Sequence, residues 1–380
     1  MPLCNQYLDT NRDSCPTSWL CYSFQTWNNS SLCAPQVLCS TLESCINDKK
    51  CQVGSSVCVV NSCCSTPVCM PLALSNLCTV TANIAVGRVC SSATWQQNST
   101  TYFQDVWHNY LHSHDFFLDS DNNIIMSEYC DNRIVKYSGK NNTIATLLAN
   151  GNSTYYMEAM FVHPSGVIYT VESRYNYSSY ERLYRFQRYT NVDGLAGTTL
   201  FGDTSCGTAA NQICGCRSLF VDTQGGIYCS DSQNHRVVKI IPYTSTIIII
   251  AGSINGSMGY GTNELYYPSS IFVDQSGNLI VLDSGNSRLL KFSPGNRNGT
   301  ILFSPYSYSW GSYMYVDAFG IVYYTSYSGI YRWVPGATYP TMIIGGSSFS
   351  TLRFDAYGNL YTIDNSKNTI EKYNIFTNNC

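Results

Sequence analysis

Three of the chain's five histidines fall in Trp107-His108-Asn109-Tyr110-Leu111-His112-Ser113-His114-Asp115. The i, i+4 and i+2 spacings let His108, His112 and His114 converge on one metal ion. The plainer reading is a surface connector rich in His and Tyr just before a strand. Asp119-Ser120-Asp121-Asn122-Asn123 has the look of a calcium loop. An EF-hand would need Gly at Ile124 and Glu at Cys130, so a hairpin turn is the better reading. No Gly-x-Ser-x-Gly elbow occurs, and no Gly-rich phosphate loop sits between a strand and a helix. No catalytic centre and no cofactor are expected from these motifs.

Cysteine carries the other chemistry. Thirteen of the 19 lie in the first 90 residues, at Cys4, Cys15, Cys21, Cys33, Cys39, Cys45, Cys51, Cys58, Cys63, Cys64, Cys69, Cys78 and Cys90. Such density without Cys-x-x-Cys pairs or histidines points to disulfides rather than zinc. Cys130, Cys206, Cys214, Cys216 and Cys229 are expected to pair as well. An odd count leaves at least one cysteine free, capped or joined to another molecule, and Cys380 is the candidate for an intermolecular bond. Disulfides on this scale persist in oxidising space. Asn-x-Ser/Thr sequons at Asn28, Asn29, Asn98, Asn141, Asn152, Asn176, Asn255 and Asn298 agree, and N-linked glycans are expected there. The reading is a secreted, extracellular glycoprotein. Met1-Pro2-Leu3-Cys4 lacks the apolar run of a signal peptide, so a secreted chain of this sequence is expected to be a processed form.

Charge narrows the partners. Charged residues make up 12 % of the 380, about half the usual share, and the formal net charge is −3. No block of like charges offers a surface to nucleic acid or anionic membranes. The longest aliphatic run, Ile247 to Ile250, is far short of the roughly 20 apolar residues of a membrane span.

From about Phe116 the cysteines give way to a repeat. Six segments read apolar-apolar-Asp, a short turn, then a β-rich run. They begin at Phe117-Leu118-Asp119, Phe161-Val162-His163, Phe220-Val221-Asp222, Phe272-Val273-Asp274, Tyr315-Val316-Asp317 and Arg353-Phe354-Asp355, and successive turn positions lie 44, 59, 52, 43 and 38 residues apart. A period of about 40–50 residues with several short strands per unit is the signature of propeller blades. Gly166, Gly226, Gly277, Gly320 and Gly358 are expected to take the left-handed turn position, with Asn122 in the first repeat. Tyr169, Tyr228, Tyr323 and Tyr361 recur in the second strand and read as blade packing. No stretch keeps a 3.6-residue period, so helix should be scarce.

Asp231-Ser232-Gln233-Asn234-His235-Arg236-Val237-Val238-Lys239, the run from Asp283 to Lys291, and Asp131-Asn132-Arg133-Ile134-Val135-Lys136 resemble NHL repeats, the blade unit of a family of six-bladed β-propellers. Gly329 and Thr369 stand where the family has arginine. The resemblance implies an all-β, six-bladed ring over about residues 79–380. The family includes scaffolds, ligand binders and a few enzymes, among them a peptide-amidating lyase that carries zinc and calcium. Glu128 and Glu172 are read at equivalent second-strand ends, where a propeller lactonase places calcium-binding acids. Too few residues follow the last repeat for a fourth strand. Thr79 to Val86 or Ser99 to Phe103 would supply it and close the ring.

The organisation expected is a disulfide-stapled module over 1–78, a connector with the ring-closing strand over 79–115, and the propeller over 116–380. The function expected is that of a non-enzymatic subunit of an extracellular filament, coat or surface hair. Its partners would be itself, in a homopolymer, and other extracellular proteins or glycans. The alternatives are a propeller that binds a glycan or peptide, and a metal-dependent propeller lyase or hydrolase.

Overall fold

A computed structural model describes residues 21–25, 31–35, 43–45, 51, 56–59, 68–71, 89–104, 115–119, 121–128, 133–138, 143–149, 155–163, 166–189, 197–222, 225–241, 246–274, 276–304, 313–317, 319–346 and 348–378. The chain divides into two compact units, Met1–Ala85 and Val86–Cys380. Among the described residues of the first, β1 (Cys21–Gln25) pairs antiparallel with β2 (Ser31–Pro35). A second sheet has the order β3 (Glu43–Ser44), β5 (Val68–Pro71), β4 (Ser56–Val59). Disulfides Cys45–Cys58 and Cys51–Cys69 tie these strands together.

The second unit begins with two short strands, β6 (Thr94–Trp95) and β7 (Thr100–Gln104), and continues as six four-stranded antiparallel blades. Blade 1 is β8 (Phe116–Leu118), β9 (Ile124–Glu128), β10 (Arg133–Ser138) and β11 (Thr143–Ala149). Blade 2 is β12 (Tyr156–Val162), β13 (Ile168–Asn176), β14 (Glu181–Tyr189) and β15 (Thr198–Ser205). Blade 3 is β16 (Cys216–Val221), β17 (Ile227–Asp231), β18 (Arg236–Ile241) and β19 (Thr246–Gly252). Blade 4 is β20 (Pro268–Val273), β21 (Leu279–Asp283), β22 (Arg288–Phe292) and β23 (Thr300–Phe303). Blade 5 is β24 (Met314–Val316), β25 (Val322–Ser326), β26 (Gly329–Trp333) and β27 (Thr341–Gly345). Blade 6 is β28 (Phe349–Phe354), β29 (Leu360–Asp364), β30 (Thr369–Tyr373) and, as its outer strand, β7 from before the ring.

Each blade packs face to face on its neighbours, so its second strand is covered on both sides. Every residue of β17, β21, β25 and β29 is accordingly buried. Tyr228, Tyr323 and Tyr361 lie in that layer as packing residues, with Tyr169 partly buried beside them. The turn acids hold the first hairpins. Asp119 Oδ1 accepts the amides of Asp121 and Asn123 at 2.9 Å, and Asp274, Asp317 and Asp355 accept the same pair two and four residues on. The calcium-like run of blade 1 is therefore a hairpin turn, and Asn122 takes its left-handed position at φ 61°. In blade 3 that position belongs to Gly225 at φ 78°, one residue before the glycine expected from the repeat.

Two of the resemblance's Asp–Arg pairs have a clear mechanical task. Arg288 Nε donates to Asp283 (2.8 Å), and its Nη atoms reach the carbonyls of Tyr260, Gly261 and Glu264 in the chain entering blade 4. Asp283 also accepts the Tyr266 amide at 2.7 Å. Arg236 and Asp231 repeat the arrangement in blade 3. Each pair bolts an interblade connection to the blade it enters.

Closure is double. Thr369 and Ile370 of β30 pair with Gln104 and Phe103 of β7, while β31 (Ile375–Thr377) pairs with β6. The run from Thr79 to Val86 lies outside the described residues. The side chain of Trp95, 3 % exposed, packs edge-on to Tyr323 and against Phe354, and its indole N–H donates to Gly358 O at 2.9 Å. No open sheet edge remains where the ring's ends meet. No helix among the described residues is long and apolar enough to cross a membrane.

Candidate active site at the propeller axis

The inner strands present one residue each two positions before the turn acid: Phe117, Phe161, Phe220, Phe272, Tyr315 and Arg353. The first four form a chain of ring contacts from blade to blade, with centroids 6.0, 5.2 and 5.6 Å apart. The sixth position breaks the pattern. Arg353 lays its guanidinium over the Phe117 ring at 4.3 Å and over Tyr313 at 4.7 Å, a stacking geometry that suits a planar cation.

A buried guanidinium needs a counter-ion and acceptors. Arg353 Nη2 donates to both oxygens of Asp115, at 2.9 and 3.0 Å, while Nη1 donates to Leu352 O and to the Tyr313 hydroxyl. Asp115 Oδ1 further accepts the Phe116 amide (2.8 Å) and Thr351 Oγ1 (3.1 Å). A carboxyl just before β8, a phenol just before β24, and a hydroxyl and a guanidinium within β28 are thus brought together from blades 1, 5 and 6.

Burial pushes the Asp115 carboxyl up to about 6, against the opposing pull of Arg353 and the hydrogen bonds it accepts. Burial likewise raises the Tyr313 and Tyr315 phenols. For Arg353 desolvation acts downward most strongly, and the Asp115 charge together with Tyr313 and Tyr315 outweighs it and holds the guanidinium up. A carboxyl that exchanges its proton near neutral pH is what general acid–base chemistry requires. The adjacent cation offers charge stabilisation to an oxygen that becomes negative.

Other expected sites fare differently. His108, His112 and His114 lie outside the described residues, although His114 directly precedes Asp115 in the chain. His163 sits in the β12–β13 turn and His235 between β17 and β18, at opposite ends of their blades. Burial pulls the His163 imidazole down, as it does His235. His235 Nδ1 accepts the Tyr267 amide at 3.1 Å, so the neutral ring carries its proton on Nε2.

The lactonase-like pair is equivalent in the repeat: Glu128 and Glu172 follow their turn positions Asp119 and His163 at the same distance and lie opposite Arg133 and Arg185 of the third strand. Arg133 holds Glu128. Glu172 is saturated by Arg185 (2.9 and 2.6 Å), Thr170 (3.0 Å) and Tyr189 (2.6 Å). Both oxygens of Glu172 are engaged and Glu128 is paired with Arg133, so neither carboxylate stands ready for a calcium ion. The sulfurs of Cys45, Cys51 and Cys69 gather closely, but all three cysteines are in disulfides and offer no thiolate.

Disulfide Cys206–Cys214 lies in the connection from blade 2 to blade 3, Cys216–Cys229 lies within blade 3, and Cys90 is also disulfide-bonded. Cys4, Cys15, Cys39, Cys63, Cys64, Cys78, Cys130 and Cys380 lie outside the described residues. Asn28, Asn29, Asn141 and Asn152 also lie outside. Asn98, Asn255 and Asn298 are exposed and Asn176 is half-buried.

The NHL repeat profile matches residues 265–292, which span the Asp283–Arg288 bolt. With the six-bladed ring, this upholds the resemblance to NHL-type propellers. No curated protein sequence matches the chain. Among solved structures, a gluconolactonase of Xanthomonas campestris aligns at TM-score 0.52 and 13 % identity, over 76 % of this chain and 99 % of its own. Virginiamycin B lyase of Staphylococcus aureus aligns at 0.51 and 10 %, over 74 % and 100 %. A PQQ-bound aldose sugar dehydrogenase of Streptomyces coelicolor aligns at 0.51 and 11 %, over 76 % and 100 %. At such identities the likeness shows the fold alone. All three are enzymes, however, and this corrects the expectation of a non-enzymatic chain, which rested on missing sequence motifs. Propeller chemistry is assembled from several blades and leaves no contiguous motif to find.

Proposed function

We propose that the chain is a propeller enzyme of the secretory space, a hydrolase or lyase that uses Asp115 as its proton carrier. One observation carries this reading. Where the aromatic ring of the axis is interrupted, Arg353 of β28 joins the buried Asp115, just before β8, to the Tyr313 hydroxyl, just before β24. Protonated, Asp115 can deliver its proton to a leaving oxygen. Ionised, it can take one from water or from a carbon acid, with Arg353 stabilising its charge. The disulfides support the secretory location. Gluconolactone, for which the similar gluconolactonase is named, and quinupristin, held by an inactive form of the similar virginiamycin B lyase, are the first probes. The wild-type chain should cleave at least one, and Asp115→Asn should lower that rate by about 100-fold. Turnover unchanged in the variant would reject the assignment.

A second reading, self-association into an extracellular assembly, draws on the β13–β14 hairpin. Its strands are nine residues each, and Tyr175, Tyr177 and Tyr180 stand exposed at its tip. Low charge and exposed tyrosine favour association, since few charges need desolvating. Light scattering at high protein concentration that shows only monomer would reject it.

A further inference from the structure

The connection from β19 to β20 carries an exposed apolar run. Ile254 is 67 %, Met258 53 % and Tyr260 72 % exposed, within seven residues of chain. Tyr260 neighbours Tyr266, whose ring lies 5.1 Å from that of the partly exposed Tyr267. No charged residue occurs from Ser253 to Asn263. Exposed apolar surface of this kind ordinarily has an occupant.

The sequon Asn255-Gly256-Ser257 lies inside the run. Its turn is built around Ser253, whose Oγ accepts the Asn255 and Ser257 amides at 3.2 and 2.8 Å. Gly256 takes φ 79°, and a Cβ there would meet the Thr208 side chain at 2.6 Å. Both flanking hydroxyls, Ser253 Oγ (2.9 Å) and Ser257 Oγ (3.0 Å), donate to Asn255 Oδ1. The carboxamide is anchored by its oxygen, and Nδ2 has no hydrogen bond within the described residues.

We propose that Asn255 carries an N-linked glycan and that its first sugars lie on Ile254, Met258 and Tyr260 as a fixed cover. In the transfer, Nδ2 forms the bond to the anomeric carbon of a lipid-diphosphate-linked oligosaccharide. The carbon–oxygen bond to the diphosphate breaks, and the Nδ2 proton leaves to a base. A pyranose C–H face suits the Tyr260 ring, and the N-acetyl methyl suits the apolar side chains beside it. The inference rests on the secretory part of the function proposed above and not on its catalytic part.

The test uses the full chain from a eukaryotic secretory host. Glycopeptide mass spectrometry should find Asn255 occupied. Hydroxyl-radical labelling of Met258 and Tyr260 should rise about threefold when peptide-N-glycosidase strips the folded protein. Tyr327 and Tyr357, equally exposed but in blades 5 and 6, should not change. Unmodified Asn255 with glycans at Asn98 or Asn298 would overturn this inference alone, and unmodified asparagines throughout would overturn the secretory reading with it. Labelling that stays the same after stripping would show a glycan that covers nothing. Unmodified Asn255 with labelling that falls as protein concentration rises would assign the surface to a second copy instead.

Discussion

Replacing Trp95 by alanine tests whether the segment before the ring closes it or merely lies against it. The indole is 3 % exposed, contacts the rings of Tyr323 and Phe354, and satisfies the Gly358 carbonyl. Truncating a buried Trp costs about 3–5 kcal/mol, a range that reflects how far the site can collapse. Collapse is restricted here, because β6 is fixed by pairing with β31 and Arg332 holds the Ala93 carbonyl at 2.7 Å. The lost hydrogen bond leaves a carbonyl facing an apolar gap, a further cost of about 1 kcal/mol. A loss of about 5 kcal/mol is expected. At about 2 °C per kcal/mol for a unit of this size, the midpoint of thermal unfolding should fall by about 10 °C. Circular dichroism melts of wild type, Trp95→Ala and Phe376→Ala measure it. Phe376 lies in β31 but is 73 % exposed, so its loss should stay within about 0.5 kcal/mol. A Trp95→Ala protein that melts within 2 °C of wild type would refute closure through this side chain.

Arg288→Met should lower the urea midpoint by the equivalent of about 3–5 kcal/mol, because it strands the buried Asp283 carboxylate and three carbonyls. Adding Asp283→Asn should return part of that loss, and a neutral Arg288→Met would reject the bolt. Stability should also depend on pH through Asp115, whose folded value of about 6 lies above the roughly 3.9 of an unfolded aspartate. The folded state then holds the extra proton, so this contribution is full below about pH 4 and is lost as the pH rises toward 6. Denaturant titrations from pH 4 to 7 on wild type and Asp115→Asn read it, and a difference between the two that rises with pH would contradict the sign.

The repeat made the fold legible. Each turn acid predicts a hairpin two residues after the axial residue of the inner strand, and Asp119, Asp274, Asp317 and Asp355 cap such hairpins. The glycine of blade 3 was misread by one position, because Gly225 and Gly226 are adjacent and either satisfies the pattern. The axial site was harder to see. Arg353 stands in the repeat column where the other five blades carry aromatics, a signal visible in the sequence. Its partner Asp115 lies 238 residues away, and no local spacing links them. Trp95 gave no signal either, since its task depends on β6 meeting the last strand of the ring. The Asp–Arg pairs read as a family signature, and only their geometry shows that they fasten loops rather than face a ligand.

The central claim, that Asp115 moves protons for a reaction at the axis, is tested most directly by the pH dependence of cleavage. Rates of gluconolactone and quinupristin cleavage should be measured from pH 4.5 to 8.5 for wild type, Asp115→Asn and Asp115→Glu. The account predicts wild-type turnover of at least one probe with an inflection near pH 6, absent in Asp115→Asn and displaced in Asp115→Glu. A wild-type profile without an inflection between pH 5 and 7, or the same profile in Asp115→Asn, would contradict it.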